Sequence, residues 1–322
     1  MTTQSKMALV FPGQGCQFVG MGADICEAFP EARAVFDRAD KVLGLPLSRL
    51  CIEGPADQLD DTANTQPAIY TCTIALWKVL APRLEHVVPR IAFAAGHSLG
   101  EFSALTVAGA LDFDDGLRLV RYRGEAMRDA GAETPGGMAA IIGLSDGAVA
   151  QIVAEANRNV QGVWMANYNC PGQVVIAGNR ETLGRALALA KDRKAKRAVT
   201  LAVSVASHTP LMSAAADRLG AALEETPFHR PWVPVISNAT ASPLVDPEAI
   251  KAALIRQLTS PVRWVESVEV MIGENVTVML EVGPRAVASG LIRRIHRPTA
   301  LCSITDVASL KAFDVEALWK SR

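Results

Sequence analysis

No stretch of this sequence approaches the ~20 consecutive apolar residues that a bilayer-spanning helix needs, and Met1 to Lys6 carry no apolar segment of signal-peptide length. A cytoplasmic protein with no membrane partner is therefore expected. An excess of charge is missing as well, since 32 basic residues face 33 acidic ones for a formal net charge of −1. No overall field draws such a chain to nucleic acid, and no nucleic-acid partner is expected. The six cysteines (Cys16, Cys26, Cys51, Cys72, Cys170 and Cys302) form no CxxC pair and have no histidines at ligand spacing. They read as reduced thiols, which leaves neither a metal site nor a disulfide framework to expect. Repeats and low-complexity tracts are absent. Histidine is scarce, with five in 322 residues.

What is present is a large apolar content. Half of the residues are hydrophobic and a fifth are charged, so the chain can bury a sizeable core, and its length permits one to three domains. The first third alternates strand-like and helix-like patterns. Ala8 to Phe11 reads as a strand, Ala23 to Val42 and Ala68 to Leu84 as helices, and Ile91 to Ala95 as a strand. Such alternation predicts a mainly parallel sheet. Thr134-Pro135-Gly136-Gly137 is the best linker. Beyond it, Met138 to Leu144, Val163 to Asn167, Gln173 to Ala177 and Ala198 to Val203 read as strands. Helices are expected over Ser145 to Ala156 and Glu181 to Lys194. That order, βαββαβ, is the ferredoxin-like unit. The pattern predicts a small domain over 134–203 inserted into a large one formed by 1–133 and 204–322. Later strands are expected at Pro234 to Ser237 and Thr277 to Val282, and a helix at Pro247 to Leu258.

Gly96-His97-Ser98-Leu99-Gly100 follows the Ile91 strand directly and precedes a helix-like stretch, Glu101 to Ala110. Glycines two before and two after a serine permit a turn too tight for side chains, and the helix aims free N–H groups at the hydroxyl. Three fixed positions recur by chance in roughly one chain of this length in ten. The strand before and the helix after supply the context that the pattern alone lacks.

A serine hydroxyl needs a base, and histidine is the usual one. His86 lies at a polar helix end, His229 and His296 in turns beside arginine and proline, and His97 would project away from Ser98. His208 remains. It closes the strand-like run Leu201 to Ser207, which would place it at the carboxyl edge of the sheet with Ser98; a hydrogen-bonded turn histidine is the alternative. No acid between Ser98 and His208 stands out as a third member. Arg118, Arg121, Arg123 and Arg128 share one helical segment and read alike, as a solvated face. Lys191-Asp192-Arg193-Lys194-Ala195-Lys196-Arg197 is the strongest charge cluster, either a solvated helix end or a docking patch for an acidic protein.

Several segments together resemble the malonyl-CoA:acyl carrier protein transacylase family. They are Phe11-Pro12-Gly13-Gln14-Gly15-Cys16-Gln17, Gln66-Pro67-Ala68, Gly96 to Glu101, Tyr122-Arg123-Gly124, Ser207-His208, Arg256-Gln257-Leu258 with Pro261-Val262, and Glu281-Val282-Gly283-Pro284. They run in the family's order over nearly the whole chain. The resemblance implies an α/β-hydrolase-like large domain with a parallel sheet core and the ferredoxin-like insert. It implies that Ser98 is the acylated nucleophile and His208 its base, oriented by a backbone carbonyl near Gln257 rather than by an acid. Backbone N–H groups of Gln14 and Leu99 would form the oxyanion hole, although Gln14 read alone is a turn residue. Arg123 would bind the free carboxylate of a malonyl group. The implied substrates are malonyl-CoA and acyl carrier protein, with no cofactor beyond the coenzyme A thioester, and a monomer is expected.

Two positions depart from the family pattern. Cys16 stands where serine is usual, and Arg285 follows Gly283-Pro284 where glycine is common. Two other functions compete with malonyl transfer. One is a serine esterase or thioesterase, against which Arg123 and the missing acid argue. The other is a non-catalytic carrier-protein-binding subunit, against which Ser98, His208, Arg123 and Gln14 argue together.

Overall fold

The computed structural model describes residues 5–203 and 205–320. Among these, the strands are β1 (Lys6–Phe11), β2 (Ile91–Gly96), β3 (Gly136–Ile142), β4 (Val163–Cys170), β5 (Gln173–Asn179), β6 (Arg197–Thr200), β7 (Val235–Ile236), β8 (Pro243–Leu244), β9 (Val276–Val282) and β10 (Ala300–Ile304). They form two sheets. The larger runs β10-β9-β1-β2-β7-β8 and is parallel except for the β7–β8 pair. A parallel sheet is covered on both faces, so its strands are apolar throughout rather than alternating. In β1, Met7, Leu9 and Phe11 pack into one core with Ile69, Tyr70, Phe102 and Val120, while Ala8 and Val10 pack into another with Trp264, Val268, Met271 and Ile292. Phe11 lies opposite Gly96 in the register. The loops leaving β1 and β2 therefore emerge side by side at the carboxyl edge of the sheet.

The smaller sheet is antiparallel, in the order β4-β5-β3-β6. Helices Asp146–Ala156 and Arg180–Asp192 cover it, with Val149, Ile152, Leu183 and Ala186 in a core of their own. Its β4 edge joins the rest of the molecule: Tyr168 N–H donates to the Val262 carbonyl and Val262 N–H to that of Ala166, each at 2.9 Å.

Some expected elements change. The helix expected over Ala23 to Val42 is two, Ala23–Ala28 and Pro30–Leu43, because the residue before a proline is forced out of the helical region; Phe29 is extended, with φ −135°. The helix expected from Ala68 starts earlier, spanning Thr62–Leu80 with Pro67 inside. Pro67 has no N–H for the Ala63 carbonyl four residues back. The guanidinium of Arg121 donates to that carbonyl instead, at 3.1 Å, so the helix continues. Gly136 and Gly137 are not linker but the start of β3, where a Cβ on Gly136 would come within 2.8 Å of the Gly178 carbonyl oxygen. The strand expected up to Val203 ends at Thr200. His208 consequently stands on an irregular loop before helix Ser213–Glu225, not at a strand end. The boundary expected at residue 204 falls on Ser204, and the outer bounds 1 and 322 on the termini, all outside the described residues.

All six cysteines are free thiols. No described helix is long and apolar enough to cross a membrane. In the basic run, Arg193 is tied to Glu155 at 2.5 Å, and Lys194 turns the chain in a left-handed conformation.

Glu281 secures the far side of the sheet. It is completely buried at the end of β9 and accepts the N–H groups of Val287, Ala288 and Ser289 at 2.8, 2.7 and 2.8 Å, capping helix Ala288–Ile295. A carboxylate placed on a helix N-terminus satisfies donors that have no intrahelical partner. Glu281→Ala should lower stability by roughly 2–4 kcal/mol, read as a shift of the urea-unfolding midpoint at unchanged slope.

Candidate active site

Between β2 and helix Gly100–Val107 the chain turns so sharply that Ser98 adopts φ +52°, a left-handed conformation unusual for a residue with a side chain. Only glycine fits on either side. A Cβ on Gly96 would lie 1.9 Å from the Gly100 carbonyl carbon, and one on Gly100 2.3 Å from the Phe11 oxygen. Asn238, buried after β7, clips the turn shut. Its Oδ1 accepts the Ser98 N–H at 2.6 Å and its Nδ2 donates to the Gly96 carbonyl at 2.7 Å.

The hydroxyl of Ser98 faces His208 Nε2 at 2.9 Å, and His208 Nδ1 lies 2.8 Å from the backbone carbonyl of Gln257. A carbonyl only accepts, so Nδ1 carries the hydrogen and Nε2 turns its lone pair to the serine. No carboxylate takes the third place. Burial, and next the positive charge of Arg123, hold the His208 imidazole down to about 3, so it is neutral and ready to accept a proton.

Arg123 projects into the same space and is completely buried. Its Nη1 donates to Gln66 Oε1 at 2.7 Å, and its Nη2 to Gln257 Oε1 at 3.0 Å and Ser98 Oγ at 3.2 Å. Its Nε has no partner. Every partner is a neutral oxygen. Burial lowers the guanidinium to about 10, opposed by Glu101, and it remains charged at neutral pH. The neighbouring arginines are occupied elsewhere: Arg118 on Asp115 at 2.9 Å, Arg121 on Glu125 at 2.6 Å, and Arg128 on Asp129 at 3.1 Å. The structure thus separates four residues that the sequence left alike.

Gln14 and Leu99 lie on the two neighbouring loops. Leu99 is buried at the start of the helix, and Gln14 follows Gly13, where a Cβ would sit 2.3 Å from the His97 carbonyl oxygen. Among the described residues no protein acceptor engages the backbone N–H of either one. The Gln14 side chain accepts from Thr62 Oγ1 at 3.2 Å, and Thr62 in turn accepts from Gln66 at 3.0 Å, joining this loop to the arginine.

Three contributors had little or no signal of their own. Gln66 was visible only as part of a family segment, although it holds Arg123. Asn238 lies in a turn with nothing to mark it. His97 does turn away from Ser98, but to a purpose: its Nε2 is 2.8 Å from Asn169 Oδ1 on β4, and its ring meets Trp264 edge-on at 5.5 Å. Of the two departures, Cys16 is buried, with its thiol pushed far up by burial, and Arg285 lies exposed over the Phe18 ring at 4.5 Å. No three His, Cys, Asp or Glu side chains among the described residues converge to hold a metal ion.

A serine on a strained strand-to-helix turn, within reach of a neutral imidazole, defines an α/β enzyme of the acyl-transfer class. The chain belongs to the acyl transferase family, whose domain model matches residues 8–309. It is 43% identical over 309 residues to the malonyl CoA-acyl carrier protein transacylase of Haemophilus influenzae, covering 96% of this chain and 98% of that one. The crystal structure of the acyl-carrier-protein S-malonyltransferase from Bartonella henselae superposes with a TM-score of 0.93 at 38% identity, covering 98% of this chain and 99% of that one. A malonyl-transacylase in complex with a type II PKS acyl-carrier protein superposes at 0.91 with 43% identity, covering 96% of this chain and 98% of that one.

His208 provides the first test at the site. An ordinary histidine takes up a proton near ~6.5, whereas this one is held at about 3. In labelled protein, its imidazole resonances should stay those of the neutral Nδ1–H form from pH 8 down to pH 5. The sign for stability follows, because the unfolded chain binds this proton first. The contribution of His208 is complete above ~6.5 and falls away as pH drops toward 3.

Proposed function

We propose that this protein transfers the malonyl group from malonyl-CoA to the phosphopantetheine thiol of acyl carrier protein through a malonyl ester on Ser98. The observation that carries the reading is a buried guanidinium 3.2 Å from the nucleophile and bonded only to neutral oxygens. Sequence likeness across nearly the whole of both chains to a relative named for this reaction supports it.

In the first half-reaction the Ser98 oxygen attacks the malonyl thioester while His208 Nε2 accepts its proton. The Gln257 carbonyl holds the Nδ1 hydrogen and stabilises the imidazolium. Negative charge develops on the thioester oxygen, and the N–H groups of Gln14 and Leu99 are the donors proposed to receive it, fixed before reaction begins. Coenzyme A leaves as its thiol, taking the proton from His208, and a malonyl ester remains. In the second half-reaction His208 takes the proton of the carrier thiol, the sulfur attacks the ester, and the proton passes to the departing Ser98 oxygen. Protons balance, and the two half-reactions require only the thioester and the carrier thiol, so no metal or cofactor is assigned.

Arg123 sets the acyl preference. Its guanidinium suits the planar malonyl carboxylate through paired charge-assisted bonds. An acetyl group would leave that cation uncompensated, at about 3–5 kcal/mol, or roughly two to four powers of ten in rate. An added methyl, as in methylmalonyl, meets only steric selection.

The finer architecture belongs to the same reading. The large sheet is proposed as α/β-hydrolase-like, formed by 1–133 and 204–322, with 134–203 as a ferredoxin-like insert. A cytoplasmic monomer that meets its carrier protein in solution suits this role.

Intact-mass measurement after brief mixing with malonyl-CoA should show one malonyl adduct, lost on adding acyl carrier protein and never formed by Ser98→Ala. An absent adduct, or one released to water as free malonate, would overturn the reading. Arg123→Ala should slow malonylation by about 10²–10⁴ while leaving the slow acetylation little changed, checked by single-turnover rates with the two thioesters.

A further inference from the structure

Glu101 takes no part in the transfer itself, yet it bonds two residues that hold the nucleophile, the base and the arginine. It stands in the first turn of helix Gly100–Val107 and is 2% exposed. Its Oε2 accepts from Gln257 Nε2 at 2.7 Å and from the Asn238 backbone N–H at 3.1 Å. Gln257 Nε2 also donates to the Ser98 carbonyl, at 3.0 Å. With its amide hydrogens engaged on that side, Gln257 presents Oε1 to Arg123. Turned the other way, the amide would set its NH₂ against the guanidinium and its oxygen against a carboxylate. A carboxylate only accepts, so Glu101 favours the sense in which this amide donates to it, together with the Ser98 carbonyl and the Arg123 guanidinium.

We propose that Glu101 is a positioning residue for the transfer: its buried carboxylate fixes the sense of the Gln257 amide and, through that residue, holds the Arg123 guanidinium and the His208 imidazole on Ser98. The proposal rests on the malonyl-transfer reading. Gln257 is the common member, with its side-chain oxygen on Arg123 and its main-chain oxygen on His208 Nδ1. Asn238, the second donor to Glu101, holds the Ser98 N–H.

Electrostatics agree with the geometry. Burial raises the Glu101 carboxyl to about 7, and the bonds from Gln257 and Asn238 together with the charge of Arg123 pull against that rise. Arg123, from helix Phe113–Glu133, is the charged group acting on it, while the segments carrying Gln257 and Asn238 present amides. At pH 8 the group is ionised, which sets the condition for the test.

Rates of Ser98 acylation are measured per acylable site with malonyl-CoA and with acetyl-CoA, so that loss of folded protein lowers the amplitude and not the rate. Glu101→Gln keeps the shape and removes the charge. A fall in malonylation rate of tenfold or more is expected, together with a narrower malonyl-over-acetyl preference; a smaller fall, or an unaltered preference, overturns the proposal. Gln257→Leu removes the amide and keeps the main-chain carbonyl, and it serves even if Glu101→Gln fails to fold. It should reproduce the loss, and wild-type rate and preference in that variant would overturn the proposal. In the double variant the two losses should not multiply, since they act on one path; fully multiplied losses count against it. Failure of the unaltered protein to become malonylated would instead remove the malonyl-transfer reading itself.

Discussion

A positive charge taken wholly out of water beside a nucleophile is the constraint to which the rest of the site answers. Without partners a buried guanidinium is prohibitively costly. Arg123 has enough to remain in place, from Gln66, Gln257 and Ser98, but not a carboxylate of its own. Its charge is therefore partly unspent. The neutrality of His208 follows from the same choice, because a cation close by, added to burial, opposes a second positive charge. The histidine is then oriented by a peptide carbonyl, whose partial charge leaves the arginine unpaired where a full carboxylate would draw it into an ion pair.

The sheet makes this arrangement possible by bringing distant segments to one edge. Pairing of β1 with β2 sets the Gln14 loop beside the serine turn, and the absence of side chains at Gly13, Gly96 and Gly100 lets the backbones touch. The long helix carrying Arg123 then packs across the Thr62–Leu80 helix, where Gly124 leaves room that a Cβ would fill, 2.6 Å from the Thr62 carbonyl oxygen. Precision at the serine thus depends on residues whose contribution is to take up no space.

Legibility in the sequence followed the range of each interaction. The parallel sheet, the order of strands and helices in the smaller unit, and the serine turn were readable because each is a local pattern of apolar spacing and glycine. His208 was reached by elimination among five histidines, yet its supposed strand end was wrong, since the strand ends at Thr200, one more bond follows from the Leu201 N–H to the Met138 carbonyl at 2.9 Å, and His208 itself lies on a loop. The choice of Arg123 among four arginines came only from resemblance; its distinguishing feature is burial against Gln66 and Gln257, 57 and 134 residues away in the chain. Pro67 misled for a related reason. The Ala63 carbonyl that it leaves without a helical partner is satisfied by Arg121 from another helix, a contact that no local rule anticipates.

The pairing of β4 with the segment around Val262 has a consequence for how the molecule holds together. A strand at the rim of a sheet is a template for other chains, and here that template is occupied by the stretch directly after Gln257. The opposite rim, β6, is only four residues long and begins with Arg197. Parting β4 from this segment would bare the longer rim and loosen the chain that leaves the helix whose Gln257 carbonyl faces His208. The same hydrogen bonds thus cover the longer rim and anchor the segment that follows the helix carrying Gln257.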